Sequence, residues 1–141
     1  MGELRHYSLV AWQRADDLFI RVHKLAIGSF PDFERFALSA QVRKAAYSVP
    51  ANIAEGFARR HTKDRLHFLN MAEASLAEVD YCLHAAWRLG YITQELLAQL
   101  RTQLKGVGAP LIGLIRNERM KTGIEIVVIA LIAIGFLRWW L

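Results

Sequence analysis

The sequence of 141 residues contains a single cysteine, and this scarcity excludes two kinds of site. Cys82 alone can form neither an internal disulfide nor a cysteine-based zinc centre. It lies within an apolar helical pattern, where a free cysteine serves as a small core residue. The N-terminal residues MGELRHYSLV lack the apolar core of a signal peptide, so we expect a cytoplasmic domain.

Arrangements typical of catalytic sites are also missing from the sequence. A carboxylate-bridged di-iron bundle needs two Glu-x-x-His units, whereas this chain offers one related unit, Asp64-x-x-His67. Ser48 has no histidine at a fixed offset, and there is no glycine-rich phosphate loop. We therefore predict no enzyme activity, no metal centre and no cofactor.

The charge balance is moderately basic. There are 18 lysine and arginine residues against 13 aspartate and glutamate residues, which gives a net charge of +5. This sign favours anionic partners, such as nucleic acid or an acidic membrane surface, and carries no information about the fold. The length is that of one domain with its own hydrophobic core.

Apolar residues recur at intervals of three and four in four segments, which indicates four helices. The predicted helices cover about residues 9–27, 33–58 and 63–89, and the fourth begins after residue 93. The predicted N-caps are Ser8, Thr62 and Thr93. Because the links are short, consecutive helices must be antiparallel neighbours. The predicted fold is all-α, an antiparallel up-down-up-down four-helix bundle plus a C-terminal hydrophobic helix.

The segment 41–56 carries a proline within a helical pattern and two interleaved stripes at helical spacing. The apolar stripe consists of Val42, Ala46, Val49, Ile53 and Phe57. The second stripe is shifted by one residue, is mostly polar, and consists of Gln41, Ala45, Ser48, Asn52 and Glu55. Both stripes keep their phase across Pro50, which favours one kinked helix over a break and restart.

Polar residues also lie beside the apolar seam of the third helix. Ser75 and Glu78 have the same placement there as the polar stripe on the second helix. Such groups are tolerated at a helix interface when they are hydrogen-bonded across it. We therefore favour a structural polar network that fixes helix register over a functional pocket. The predicted network consists of Gln41, Ser48, Asn52, Glu55, Ser75 and Glu78.

Basic residues concentrate at the link between the second and third helices. Antiparallel packing brings this link to the end of the bundle where the fourth helix exits. We call this end, formed by residues 59–63 together with Arg116, Arg119 and Lys121, the basic pole. Its charge suits phosphates, whether of RNA or of lipid headgroups. The predicted nucleic-acid-binding residues are Arg43, Lys44, Arg59, Arg60, Lys63 and Arg65.

Residues 122–141, which we call the tail, differ in kind from the bundle predicted for residues 1–121. The run 126–137 is apolar without interruption. Its twelve residues, or fourteen counted from Ile124, fall short of the roughly 20 needed to span a bilayer.

Spanning would require the whole tail. Glu125 and Arg138 would then lie near the two interfaces, with Trp139 and Trp140 forming an aromatic belt. We favour membrane association through the tail. The alternative is a hydrophobic helix docked on the bundle or on another subunit.

These residues resemble a family of bacterial four-helix-bundle proteins encoded in 23S rRNA intervening sequences, a group that includes the accessory variability determinant of diversity-generating retroelements. The most specific part of the resemblance is the stretch 48–56, SVPANIAEG. Further matching residues are Gln41, Arg43, Ala45, Ala46, Phe68, Leu69, Ala72, Ser75, Leu76, Glu78 and Leu89-Gly90-Tyr91. The resemblance covers about residues 7–115.

The resemblance implies an all-α bundle that forms ring-like homopentamers. The retroelement relatives bind nucleic acid and a reverse transcriptase through a basic surface. Two departures stand out: Ala74 occupies a position that is usually glycine, and the tail has no counterpart in the typical soluble member. We expect a non-enzymatic oligomer that binds RNA or another nucleic acid. The alternative is a membrane-tethered helical scaffold.

Overall fold

The described part of the chain forms four α-helices and two short 3₁₀ turns. The computed structural model describes the backbone of residues 4–140 and the side chains of residues 4–136. The helices are α1 (Val10–Ser29), α2 (Leu38–Ala58), α3 (Thr62–Arg88) and α4 (Gln94–Trp140). The 3₁₀ turns cover Arg5–Ser8 and Asp32–Glu34, and the described residues include no strand. The all-α prediction is confirmed.

Viewed along the bundle axis, the four helices lie at the corners of a square, in the order in which they follow one another in the chain. Each helix contacts its neighbours in sequence, and α1 also contacts α4. Within the described part of the chain, no Cα atoms within 8 Å join α1 to α3 or α2 to α4. Since the links are short, this is the arrangement of an up-down-up-down bundle.

The core lies along the predicted seams. Its fully buried side chains repeat at three and four residues on every helix. The largest of them are Leu18, Ile53, Leu69, Leu83, Leu100 and Leu111. On α1 the buried residues are Ala11, Ala15, Leu18, Val22 and Ala26, while Trp12 and Phe19 only pack against the edge of the core.

Two of the three predicted N-caps are wrong. The Ser8 hydroxyl donates to the Arg5 carbonyl at 3.0 Å inside the first 3₁₀ turn, so Leu9 precedes α1 without a side-chain cap. Likewise, the extended residue before α3 is His61, and Thr62 is already helical. The third prediction is confirmed, because Thr93 Oγ1 accepts a hydrogen bond from the Leu96 amide at 3.1 Å.

Helix α2 begins later than the sequence pattern predicts. Residues 32–34 form a 3₁₀ turn, and the α-helix starts at Leu38 instead of Phe33. The Glu34 carboxylate accepts a hydrogen bond from the Leu38 amide at 3.0 Å. This carboxylate also accepts a hydrogen bond from the Tyr91 hydroxyl at 2.9 Å, which joins the α1–α2 and α3–α4 links.

The prediction of one continuous second helix is confirmed. α2 runs without a break through Pro50, which is fully packed in the core. Pro50 cannot donate to the carbonyl four residues earlier, so the helix loses a hydrogen bond at this point. Packing of Val49 and Ile53, both inaccessible to solvent, holds the helix together across it.

Helix α4 is also uninterrupted, despite three glycines and Pro110 in its middle. It has 47 residues and is about 70 Å long at 1.5 Å per residue. The tail is therefore helical as predicted, but as a continuation of α4. The predicted domain boundary after residue 121 falls inside this helix.

Helices α2 and α3 pack closely at Gly56. A Cβ atom at this position would lie 3.1 Å from the Phe68 Cβ and 3.3 Å from the Arg65 carbonyl oxygen. Both neighbours belong to the first turns of α3 and cannot move independently of it. A side chain at position 56 would therefore require α3 to shift by a few tenths of an ångström away from α2.

We predict that Gly56→Ala destabilises the bundle by about 1–3 kcal/mol, because the added methyl group pushes α3 away from α2. The matched control is Gly113→Ala, since a Cβ at Gly113 meets nothing within 4 Å. In the control, alanine should stabilise α4 by up to about 1 kcal/mol. Urea unfolding followed by circular dichroism measures both changes, and equal effects would disprove close packing at Gly56.

Candidate interaction surface at the basic pole

The basic pole forms as the topology predicts. The C-terminal end of α2, the loop to α3, and α4 around residue 118 meet at one end of the bundle. Arg65 on α3 contacts Glu118 on α4 at 3.2 Å, which fixes the two helices side by side at this level. One surface hollow is lined by residues 60–64 and by Glu125, so the loop lies beside the root of the tail.

The cations of the basic pole differ in how freely they face solvent. Arg60, Lys63, Arg116 and Arg119 are exposed. Arg59 is restrained by a 2.7 Å ion pair with Glu55 one turn earlier and by the Phe68 ring, 4.8 Å from its guanidinium carbon. An exposed pair of this kind contributes little to stability.

The first 3₁₀ turn adds charge to the same end of the bundle. Arg5 and His6 line a hollow together with Phe57, Arg59 and Arg60. Sequence analysis missed this contribution because nothing in residues 4–8 indicates where the chain before α1 packs. The turn is fixed by Gln13, whose amide donates to the Tyr7 carbonyl at 2.7 Å.

Arg65 belongs to the interior of the bundle. Its side chain is 12% exposed and pairs with Glu118, which is 2% exposed. The guanidinium also donates to the Arg59 carbonyl at 3.1 Å and lies 5.1 Å from the centre of the Phe57 ring. We predicted Arg65 as a nucleic-acid contact. In the structure its charge instead stabilises the packing of α3 on α4.

Glu118 is the residue of this end that sequence analysis missed. It lies on the buried face of α4, three residues after Ile115, and it continues the spacing of the core. Lys121 also pairs with it, at 2.9 Å. A carboxylate at a core position is tolerated only with a charged partner. The acidic residue at the core spacing of α4 was therefore the sequence feature that could have indicated a buried ion pair.

Arg43 and Lys44 lie far from the basic pole. They are about 15 residues before the end of α2, a distance of roughly 22 Å along the helix. Arg43 donates to the backbone carbonyls of Ser39 at 3.1 Å and Arg35 at 3.4 Å. The six basic residues predicted as one nucleic-acid-binding set therefore fall into two separate groups.

The predicted polar network divides into two parts. The Ser75 hydroxyl donates to the Ser48 hydroxyl at 2.9 Å, and the Asn52 amide donates to the Ser48 hydroxyl and carbonyl, both at 2.8 Å. Nearer the other end, the Gln41 amide donates to the Glu78 carboxylate. Glu55 belongs to neither part, because it pairs with Arg59.

The bundle interior offers little reactive chemistry. Burial, and secondarily the carboxylate of Glu78, raises the pKa of the Cys82 thiol, which keeps it in the less reactive protonated form. In the described residues, no three His, Cys, Asp or Glu side chains are grouped so that they could hold a metal ion.

The tail extends beyond the bundle with every described side chain from Gly123 to Phe136 exposed. Its large apolar residues are between 48% and 69% exposed. Successive residues of a helix point about 100° apart, so all sides of this helix are both apolar and open. The side chains of Arg138, Trp139 and Trp140, on which the predicted aromatic belt depends, lie outside the described residues.

No described helix combines the length and apolarity needed to cross a membrane.

These features define a class of protein: an antiparallel four-helix bundle with a hydrogen-bonded α2–α3 interface and a basic end. Residues 7–113 match the family described as 23S rRNA-intervening sequence protein. The chain belongs to this family, as the resemblance in its sequence indicated. The homopentamer and the reverse transcriptase partner that the resemblance implied stay predictions.

One solved structure illustrates the shared fold. A protein of unknown function from the S23 ribosomal protein family of Bacteroides thetaiotaomicron superposes with a TM-score of 0.67 at 24% sequence identity. The match covers 75% of this chain and 98% of the other. The family match ends at residue 113, before the tail begins. A comparison with curated proteins gives no match.

We predict that Glu118→Gln destabilises the protein by about 3 kcal/mol, because it leaves Arg65 inside the bundle without its counter-charge. The control is Glu55→Gln, which removes an exposed pair and should cost about 0.5 kcal/mol or less. Urea unfolding at neutral pH measures both. A loss for Glu118→Gln as small as that of the control would show that the buried pair does not hold α4 against α3.

Proposed function

We propose that the protein is a non-enzymatic helical bundle that attaches to a membrane surface through its tail. The observation that carries this proposal is the apolar surface of residues 124–136, which is open on all sides of the helix. Large contiguous apolar surfaces on a protein mark sites of interaction with other molecules.

Lipid fits this surface better than a protein partner does. A helix that packs against one partner carries an apolar stripe on one side and polar residues on the other. Between Ile124 and Phe136 the only charged residue is Glu125, at the end next to the bundle. A surface that is apolar in every direction is buried most completely by acyl chains, which surround it.

The length of the surface favours insertion without a complete span. The run from Ile124 to Leu137, which Arg138 ends, would cover about 21 Å of helix, whereas the apolar layer of a bilayer is about 30 Å thick. Association with a membrane does not require a complete span, because it strengthens with the apolar area that enters this layer. The bundle would then remain outside the membrane with the basic pole nearest to it.

Flotation of the full-length protein with lipid vesicles tests the proposal. We expect the protein to float, and we expect Val128→Asp with Ile132→Asp to reduce binding at least a hundredfold, because each change places a charge on the inserted surface. The control is Ile20→Asp with Ile27→Asp, which makes the same change at exposed positions of α1. A full-length protein that stays with the soluble fraction contradicts the proposal.

A second candidate function is RNA binding at the basic pole. It is favoured by the exposed charges of Arg60, Lys63, Arg116 and Arg119 and by the printed description of the family, which refers to 23S rRNA. Basic side chains contact phosphates and release counterions, so affinity for RNA should fall steeply with salt.

Filter binding to a structured RNA at several salt concentrations tests this candidate. We expect Arg60→Gln with Lys63→Gln to weaken binding and to lower the slope of log K against log salt by about two. Lys24→Gln with Arg88→Gln removes the same charge from the other end of the bundle and should change neither quantity. An unchanged affinity in the first variant would reject RNA binding at the basic pole.

A further inference from the structure

We infer that the basic pole gives the inserted protein a preference for anionic lipids, so that negatively charged headgroups are the partner of this surface. The inference rests on the proposed membrane attachment, since the tail brings the pole to the lipid. It identifies anionic headgroups as the ligand of the cations next to the start of the tail. Attachment through the tail does not itself require such a ligand.

The cations lie at the level where the apolar surface begins. Arg116 and Arg119 precede Ile124 by eight and five residues, so they lie within about 12 Å of it along α4. Arg60 and Lys63 approach from the α2–α3 link and share a surface hollow with Glu125. When residues 124–136 enter the apolar layer, these four side chains reach the headgroup region.

The bundle holds these cations rigidly with respect to the tail. α4 passes through the pole without a break, so its own cations have a fixed height above the apolar surface. The buried pair of Arg65 and Glu118 attaches the start of α3 to the same level of α4. Arg60 and Lys63 lie a few residues before Arg65 in the chain. They therefore approach the membrane together with this ion pair.

Positive charge remains in excess after the acidic groups of this end are counted. Glu55 is paired with Arg59, and Glu118 is shared by Arg65 and Lys121. The further acids beside the tail root are Asp64 and Glu125, against the four exposed cations. The end of the bundle that meets the membrane is thus complementary to an anionic surface.

The test compares binding of the full-length protein to vesicles of phosphatidylcholine alone and to vesicles in which about a third of the lipid is anionic phosphatidylserine. We expect tighter binding to the anionic vesicles, and a loss of about a hundredfold on them for Arg60→Gln with Lys63→Gln and Arg119→Gln. This is about fivefold for each basic residue. Binding to the neutral vesicles should change little. Glu125→Gln should tighten binding to both, since it removes the acid that lies within the apolar surface.

The control is Lys24→Gln with Lys44→Gln and Arg88→Gln, which removes three charges away from the pole and should leave both affinities unchanged. Equal affinity for the two vesicles, or an equal loss in this control, overturns the inference while the proposed attachment stands. Failure to bind either vesicle rejects both. If the pole variant loses RNA binding but keeps its affinity for anionic vesicles, the cations serve RNA and the inference is wrong.

Discussion

The ion pair between Arg65 and Glu118 is the interaction on which the arrangement of this end of the protein depends. It joins the first turns of α3 to the last core position of α4, just before α4 leaves the bundle. The close approach at Gly56 sets the position of Arg65, and the carboxylate in turn sets the position of α4. Removing either charge would leave the other inside the bundle, where an unpaired charge is costly.

This pair also explains why the basic pole and the tail form one surface. It adds a contact between α3 and α4 at the end of their shared hydrophobic core, where α4 leaves the bundle. Because α3 and α4 are fixed to each other at the point of exit, the exposed cations and the apolar helix keep a constant relation. Our functional proposals depend on that relation more than on any single basic residue.

Most of the fold could be predicted from the sequence, because burial repeats at helical spacing on all four helices. The continuity of α2 could be predicted because the stripes of residues 41–57 keep their phase across Pro50. The predictions of helix ends failed where two local hydrogen-bonding arrangements are close in energy. At Ser8, for example, the hydroxyl bonds within a 3₁₀ turn instead of capping α1.

The candidate surface could be predicted less completely. Grouping the cations by residue type placed Arg43 with Arg60, although the helix separates them by more than 20 Å. Arg65 was treated as a surface charge because its partner, 53 residues later, could not be identified from local spacing. Glu118 occupies a core position, and a carboxylate at such a position is the one sequence feature that would have indicated a buried pair.

Because α4 continues without a break from the bundle into the tail, the bundle and the tail move together as one rigid body. About 40 Å of the helix belongs to the bundle, and about 28 Å extends past it. Because α4 has no break where it leaves the bundle, a tilt of the tail in lipid would tilt the whole bundle by the same angle. At a tilt of about 20°, the average of helices that span a bilayer, the end that carries the Phe33 and Phe36 side chains would lie roughly 14 Å to the side of its untilted position. The orientation of the tail would thus set the position of the most distant part of the protein.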